Sequence, residues 1–164
     1  MSQIQQERVD QLKADLTKIA EEHGLAVMGV GGNDFAYTIG LSKQGLPDVV
    51  VFGLPVRAAH TILNTLYRDI IAMRTENNGF VLPKGGIRFE TLANLPLWLK
   101  PVEITSENSV NFSLSLTIHV ESFGLSLDSF KAAQLIWPDT KGKFPWEEGF
   151  ETRFIKDQPK LWAD

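Results

Sequence analysis

The sequence predicts a single α+β domain over residues 1–164: an N-terminal helix, a mostly antiparallel sheet that is twisted or barrel-like, and a second helix packed on it. Three observations carry this prediction. Val9, Leu12, Leu16 and Ile19 recur at helical spacing in an otherwise charged segment. Phe35–Leu41 and Asp48–Leu54 are β-prone runs set off by glycine-containing turns, and Ala59, Ile62, Leu63, Leu66 and Ile70 form a second helical stripe. With 43% hydrophobic residues in 164, a core forms without metal or disulfide support, and no linker or repeat divides the chain.

Each element has its own signal. Ser2 with Gln5 three residues on fits a capping box, and Gly24 after His23 fits a left-handed stop, so the first helix spans about residues 3–23. Leu25–Val30 reads as a strand, Gly31-Gly32-Asn33-Asp34 as a turn, and Phe35–Leu41 as the returning strand of a hairpin. Asp48–Leu54 is apolar on both faces, as in a central buried strand. Pro55 suits the first turn of the second helix, which fades between Ala72 and Asn77 before Asn77-Asn78-Gly79.

From Gly79 to Ile104 the text is strand-like, with bends at Pro83, Pro96 and Pro101. Phe112–Val120 alternates with period two and predicts a half-exposed strand; Val110, Leu114 and Ile118, four residues apart, keep a helix as the alternative. Ala132–Trp137 reads as a strand, Pro138–Lys143 as a turn, and Gln134–Trp146 together as an aromatic hairpin closing a sheet edge.

Composition narrows function by exclusion. Sixteen Lys+Arg against 20 Asp+Glu leave a net charge of -4, the wrong sign for recruiting nucleic acid by counterion release. Zero cysteines exclude a disulfide framework, a thiolate nucleophile and a Cys-ligated metal. The first residues lack a signal-peptide core and no apolar run approaches a bilayer span, so no membrane role is expected and the cytoplasm is the default location.

Several strings resemble one family. Phe35-Ala36-Tyr37-Thr38-Ile39-Gly40-Leu41, then Pro47-Asp48-Val49-Val50-Val51-Phe52-Gly53-Leu54-Pro55, then Ala59-His60 with Leu63-Asn64 are its first three. Gln134-Leu135-Ile136-Trp137-Pro138-Asp139 follows, running through Gly142-Lys143-Phe144-Pro145-Trp146, and Gln158-Pro159-Lys160-Leu161 is similar to the family's usual ending. Together they resemble the bacterial domain-of-unknown-function 4262 family over nearly the whole chain. The resemblance implies a small, soluble bacterial protein and brings no settled activity, substrate or catalytic residue. Residues 105–131 depart from the family pattern, which is more helical and tyrosine-rich.

Among motifs, Gly29-Val30-Gly31-Gly32 follows a strand but lacks the third glycine and the helix of a dinucleotide loop, and Lys84-Gly85-Gly86 lacks the frame of a phosphate loop. No Gly-x-Ser-x-Gly elbow occurs, so nucleophilic catalysis has no anchor and no catalytic residue is assigned. His23, His60 and His119 do not stand at the i, i+4 spacing of a helical zinc site, so no metal is expected. His23 suits a helix C-terminus, and His119 a satisfied or outward position.

His60, one turn into the second helix with Asn64 one turn further, is the histidine best placed to meet a ligand; the structural alternative is a first-turn histidine bonded to a loop. Gln134, Trp137, Asp139 and Trp146 concentrate an amide, two indoles and a carboxylate around one turn, which suits a planar ligand; alternatively the tryptophans fill a small core and Asp139 opens the turn. If the fold joins these to Tyr37 and Thr38, a shared hollow results. The leading expectation is therefore a binding module for a small molecule or protein partner, with cofactor and oligomeric state open. Two alternatives stand beside it: an enzyme on a small planar or nucleotide-like substrate using His60 as acid/base with Asp139, and an inhibitor or immunity-type protein with an acidic docking face.

Overall fold

In the computed structural model, residues 2–32 and 34–164 are described. Three helices pack on an open six-stranded sheet. The elements run α1 (Gln3–His23), β1 (Ala26–Val30), β2 (Phe35–Ile39), β3 (Asp48–Phe52), α2 (Val56–Glu76), β4 (Ile87–Phe89), β5 (Leu97–Val102), α3 (Ser113–Thr117) and β6 (Ala132–Ile136). The sheet order is β1-β2-β3-β6-β5-β4, antiparallel throughout except for the parallel pair β3–β6. The α+β class holds, while the barrel-like alternative does not: β1 and β4 are free edges that do not meet.

Local chemistry sets the helix ends as expected. Ser2 Oγ accepts from the Gln5 amide while the Gln5 side chain accepts from the Ser2 amide, and Gly24 closes α1 at φ 90°. Gly24 is doubly constrained, since a Cβ there would collide with the Tyr67 hydroxyl of α2. The hairpin β1–β2 forms in register Ala26↔Ile39 through Val30↔Phe35; Asn33 of its turn lies outside the described residues.

Strand alternation divides the core into two layers. On one face, Ala59, Leu63, Leu66 and Ile70 of α2 pack against Val49, Val51, Leu99 and Leu135. On the other, Leu16 and Ala20 of α1 meet Tyr37, Ile39 and Val50. β3 is buried along its whole length, as its unbroken apolar run requires.

Two readings are corrected. The period-two stretch Phe112–Val120 is not a strand: a 3-10 turn over Ser109–Phe112 leads into α3 and a π-helical turn over Ile118–Ser122. The four-residue spacing wins because this segment roofs the α1 face, burying Phe112 and Ile118 against Tyr37, whose hydroxyl accepts the Leu114 amide at 3.0 Å. The Gln134–Trp146 hairpin does not close an edge either. β6 lies inside the sheet between β3 and β5, so its edges are already taken, and the chain beyond Pro138 folds into a loop.

Candidate functional site

Of the eight residues expected to bind, seven fall into three groups and Trp146 stands by itself. Tyr37 and Thr38 are buried in β2, where the Thr38 hydroxyl donates to Asp48 Oδ1 at 2.8 Å and accepts the Val49 amide at 2.9 Å. Burial pushes the Tyr37 phenol up, and the Leu114 amide partly offsets it. His60 and Asn64 are on an outer face of α2; the Asn64 amide donates to the His60 carbonyl at 2.8 Å and lies 3.1 Å from Nδ1. They line a narrow groove beside β1 together with His23.

Gln134, Trp137 and Asp139 are structural clasps. Gln134 is fully buried: its Nε2 donates to the Pro159 carbonyl at 2.7 Å and its Oε1 accepts the Leu161 amide at 2.9 Å. The Gln158 side chain bonds both the N–H and the C=O of Trp137, at 2.8 and 3.0 Å. Between them these two glutamines fasten the C-terminal segment to β6. Asp139 Oδ1 accepts the amides of Lys141 and Lys143, each at 2.9 Å, and Oδ2 that of Glu151 at 3.0 Å. Burial acts to raise the Asp139 pKa, but these amides outweigh it and hold the carboxyl below its ordinary value.

His119 is buried and satisfied, its Nε2 lying 2.8 Å from Ser129 Oγ and 3.1 Å from the Ser126 carbonyl. Among the described residues no cluster of three metal-ligating side chains occurs.

Trp146 is different: it is 42% exposed, although aromatic rings surround it. The loop held by Asp139 carries Phe144 and Trp146 back over the sheet, and Phe144 is buried against Ile136 and Trp162. Trp146 stacks on Phe144 with centroids 5.3 Å apart and planes 9° apart, and meets Trp98 and Trp162 edge-on at 5.9 and 5.8 Å. Strand register supplies a cation. Trp98 and Lys100 of β5 lie opposite Ile136 and Gln134, two residues apart and so on one face, and Lys100 Nζ sits 4.0 Å from the Trp146 ring centroid.

A cavity of about 330 Å³ opens beside this array, lined by Trp146, Phe150, Ile155, Lys160, Trp162 and Asp164 among others. Lys160 is ion-paired with Asp164, whereas Lys100 forms no ion pair among the described residues. Burial lowers the Lys100 amine from its ordinary value; Asp164 opposes that shift and Lys160 adds to it. The cavity thus offers the exposed part of one indole, whose ring already contacts Phe144 and Lys100, together with apolar walls and the paired Lys160 ammonium and Asp164 carboxylate.

Of the site residues read from sequence, Trp146 belongs to this cavity, His60 and Asn64 border another, and neither cavity is lined by Trp137. Trp98, Lys100, Lys160, Trp162 and Asp164 were missed. The available signal was the alternation Leu97-Trp98-Leu99-Lys100, which puts an indole and an ammonium on the same face as Gln134, but their meeting with Trp146 depends on the loop's return path.

Fold and cavity together define a small open-sheet α+β domain with an aromatic pocket at one end of the sheet. The chain belongs to the family described as Domain of unknown function (DUF4262), whose model matches residues 19–151. No curated protein and no solved structure matches the chain. No helix among the described residues is long and apolar enough to cross a membrane.

Proposed function

We propose that the protein is a binding module for a planar, anionic small molecule, held at the cavity bordered by Trp146. The observation that carries this reading is the Trp146 indole, exposed at a cavity mouth yet fixed by Phe144, Trp98 and Trp162. A rigid aromatic side chain loses little conformational freedom when a ligand packs against its exposed part, so the ligand's binding energy is not spent on ordering the site. The charge of the ligand is inferred from the cations around Trp146: Lys160 lines the cavity with its carboxylate partner Asp164, and Lys100, which forms no ion pair among the described residues, sits over the indole.

The probe is 8-anilinonaphthalene-1-sulfonate, an anion with a planar naphthalene ring whose emission rises on leaving water. Saturable binding with one site per chain is expected, weakened by at least about tenfold, a loss of about 1.4 kcal/mol, in Trp146→Ala. Lys160→Glu, at an exposed side chain whose ammonium lies 5.8 Å from the Trp162 ring centroid, tests the charge and is expected to weaken the probe several-fold, with near-UV circular dichroism checking that the aromatic packing is kept. Unsaturable binding, or equal affinity in both folded variants, would refute the reading.

A further inference from the structure

We propose that the free edge of β1 is a self-association surface, on which a second copy of this chain pairs antiparallel, β1 to β1, joining two sheets into one. β1 is a terminal strand, and among the described residues the backbone of Ala26–Val30 bonds only to β2. Every second residue of such a strand turns its N–H and C=O away from its neighbour, presenting a ladder that another strand completes.

The two edges of the sheet are treated differently. β4 is three residues long, follows a glycine at φ 92° and carries an Arg88–Glu90 ion pair, devices that discourage pairing. β1, Ala-Val-Met-Gly-Val, has no charge and no proline. Although α1 and α2 cover opposite faces of the sheet, they leave the edge between them open. A groove of about 190 Å³ there touches both Ala26, which packs on the α1 side, and Val27, which packs on the α2 side.

The flanks favour a second copy as occupant. Ile19, at the groove, is 42% exposed, and Leu12, two turns earlier on the same stripe of α1, and Val56 at the start of α2 are also exposed apolar side chains. Among the described residues no Lys, Arg, Asp or Glu lines the groove, whose titratable side chains are His23 and His60. Antiparallel pairing sets it opposite the uncharged Val30 end of the other β1, so the paired strands themselves bring no like charges together although the chain carries a net charge of -4. An antiparallel edge is its own complement about a two-fold axis, here through Met28, the middle residue of β1. At the antiparallel rise the five-residue strand is about 17 Å long.

Sedimentation equilibrium of the full chain from about 5 μM to about 500 μM, read beside hydrogen exchange, tests the proposal. The expected result is a reversible dimer, strengthened by salt as the net charge is screened, with alternate amides of residues 26–30 exchanging more slowly as concentration rises. Ile19→Lys should weaken the dimer by at least about tenfold at an unchanged melting temperature. Leu12→Lys on the same stripe serves if the first variant does not fold. A monomer at every concentration overturns the proposal, as does a dimer whose β1 amides exchange independently of concentration or one that both folded variants leave intact; capture of a foreign strand by a monomeric chain counts against it too.

Discussion

The indole N–H of Trp137 donates to the Phe52 carbonyl at 2.7 Å, tying the ends of the two parallel strands β3 and β6 across the α2 face. The contact is tight enough to dictate a neighbour. Gly53, at φ 71°, has no room for a Cβ, which would meet the Asp157 carbonyl oxygen at 2.7 Å and Trp137 Cζ2 at 3.0 Å. Trp137 therefore fastens the fold, and the exposed indole is Trp146.

Replacing Trp137 with Phe keeps an aromatic ring but removes the donor, leaving the Phe52 carbonyl without its partner in a buried setting. An orphaned buried acceptor costs about 1–3 kcal/mol, so the melting temperature is expected to drop by about 3–10 °C in a chain of this size. Calorimetry or thermal circular dichroism checks this. A variant melting like the parent would mean that the bond contributes nothing.

Asp48 occupies an unusual position for a carboxylate, fully buried at the start of β3, where it accepts from the Thr38 hydroxyl and from the amides of Leu41 and Ser42. Burial raises its pKa, and these donors only partly oppose the shift. Asp48→Ala strands three donors and should cost about 3 kcal/mol or more. The pH dependence has a definite sign. A folded-state value above the unfolded one means that the native state takes up the proton first, so Asp48 favours folding increasingly as pH falls toward the ordinary carboxylate value. Urea melts of the parent and Asp48→Asn across the acid range should show the parent's advantage growing as pH drops; a shrinking advantage would mean that the donors outweigh burial.

Much of this fold was legible because its signals are local. Ser2, Gln5 and Gly24 bound α1 through backbone chemistry complete within one turn, and the unbroken run Val49-Val50-Val51 could be accommodated only between two covered faces. The segment 112–120 misled because its alternation of Leu with Ser and Thr fits a strand, whereas its position over Tyr37 is a tertiary fact that overrides the pattern. The candidate site was half legible for the same reason. Aromatic density at 144–146 pointed to Trp146, but nothing local indicates that Gln134 and Gln158 hold the C-terminal segment down and so bring Lys160 and Trp162 beside it.

Asp139, expected among the binding groups, does its work one step removed, by shaping the loop that presents Phe144 and Trp146. Its oxygens gather the amides of Lys141, Lys143 and Glu151, while Glu151 itself is held below its ordinary pKa, chiefly by the Thr140 hydroxyl and further by Arg153. Both carboxyls have depressed folded-state values, so their contribution is present above the unfolded carboxylate value and is lost as pH falls through the folded one. Asp139→Asn retains a single acceptor oxygen and cannot gather all three amides. It should flatten the acid limb of the stability curve relative to the parent, measured by urea melts at stepped pH, and weaken anilinonaphthalene sulfonate several-fold at neutral pH while the sheet stays folded by circular dichroism. Unchanged probe affinity in the folded variant would show that the loop holds its shape without this carboxylate, and would locate the rigidity of Trp146 entirely in its contacts with Phe144, Trp98 and Trp162.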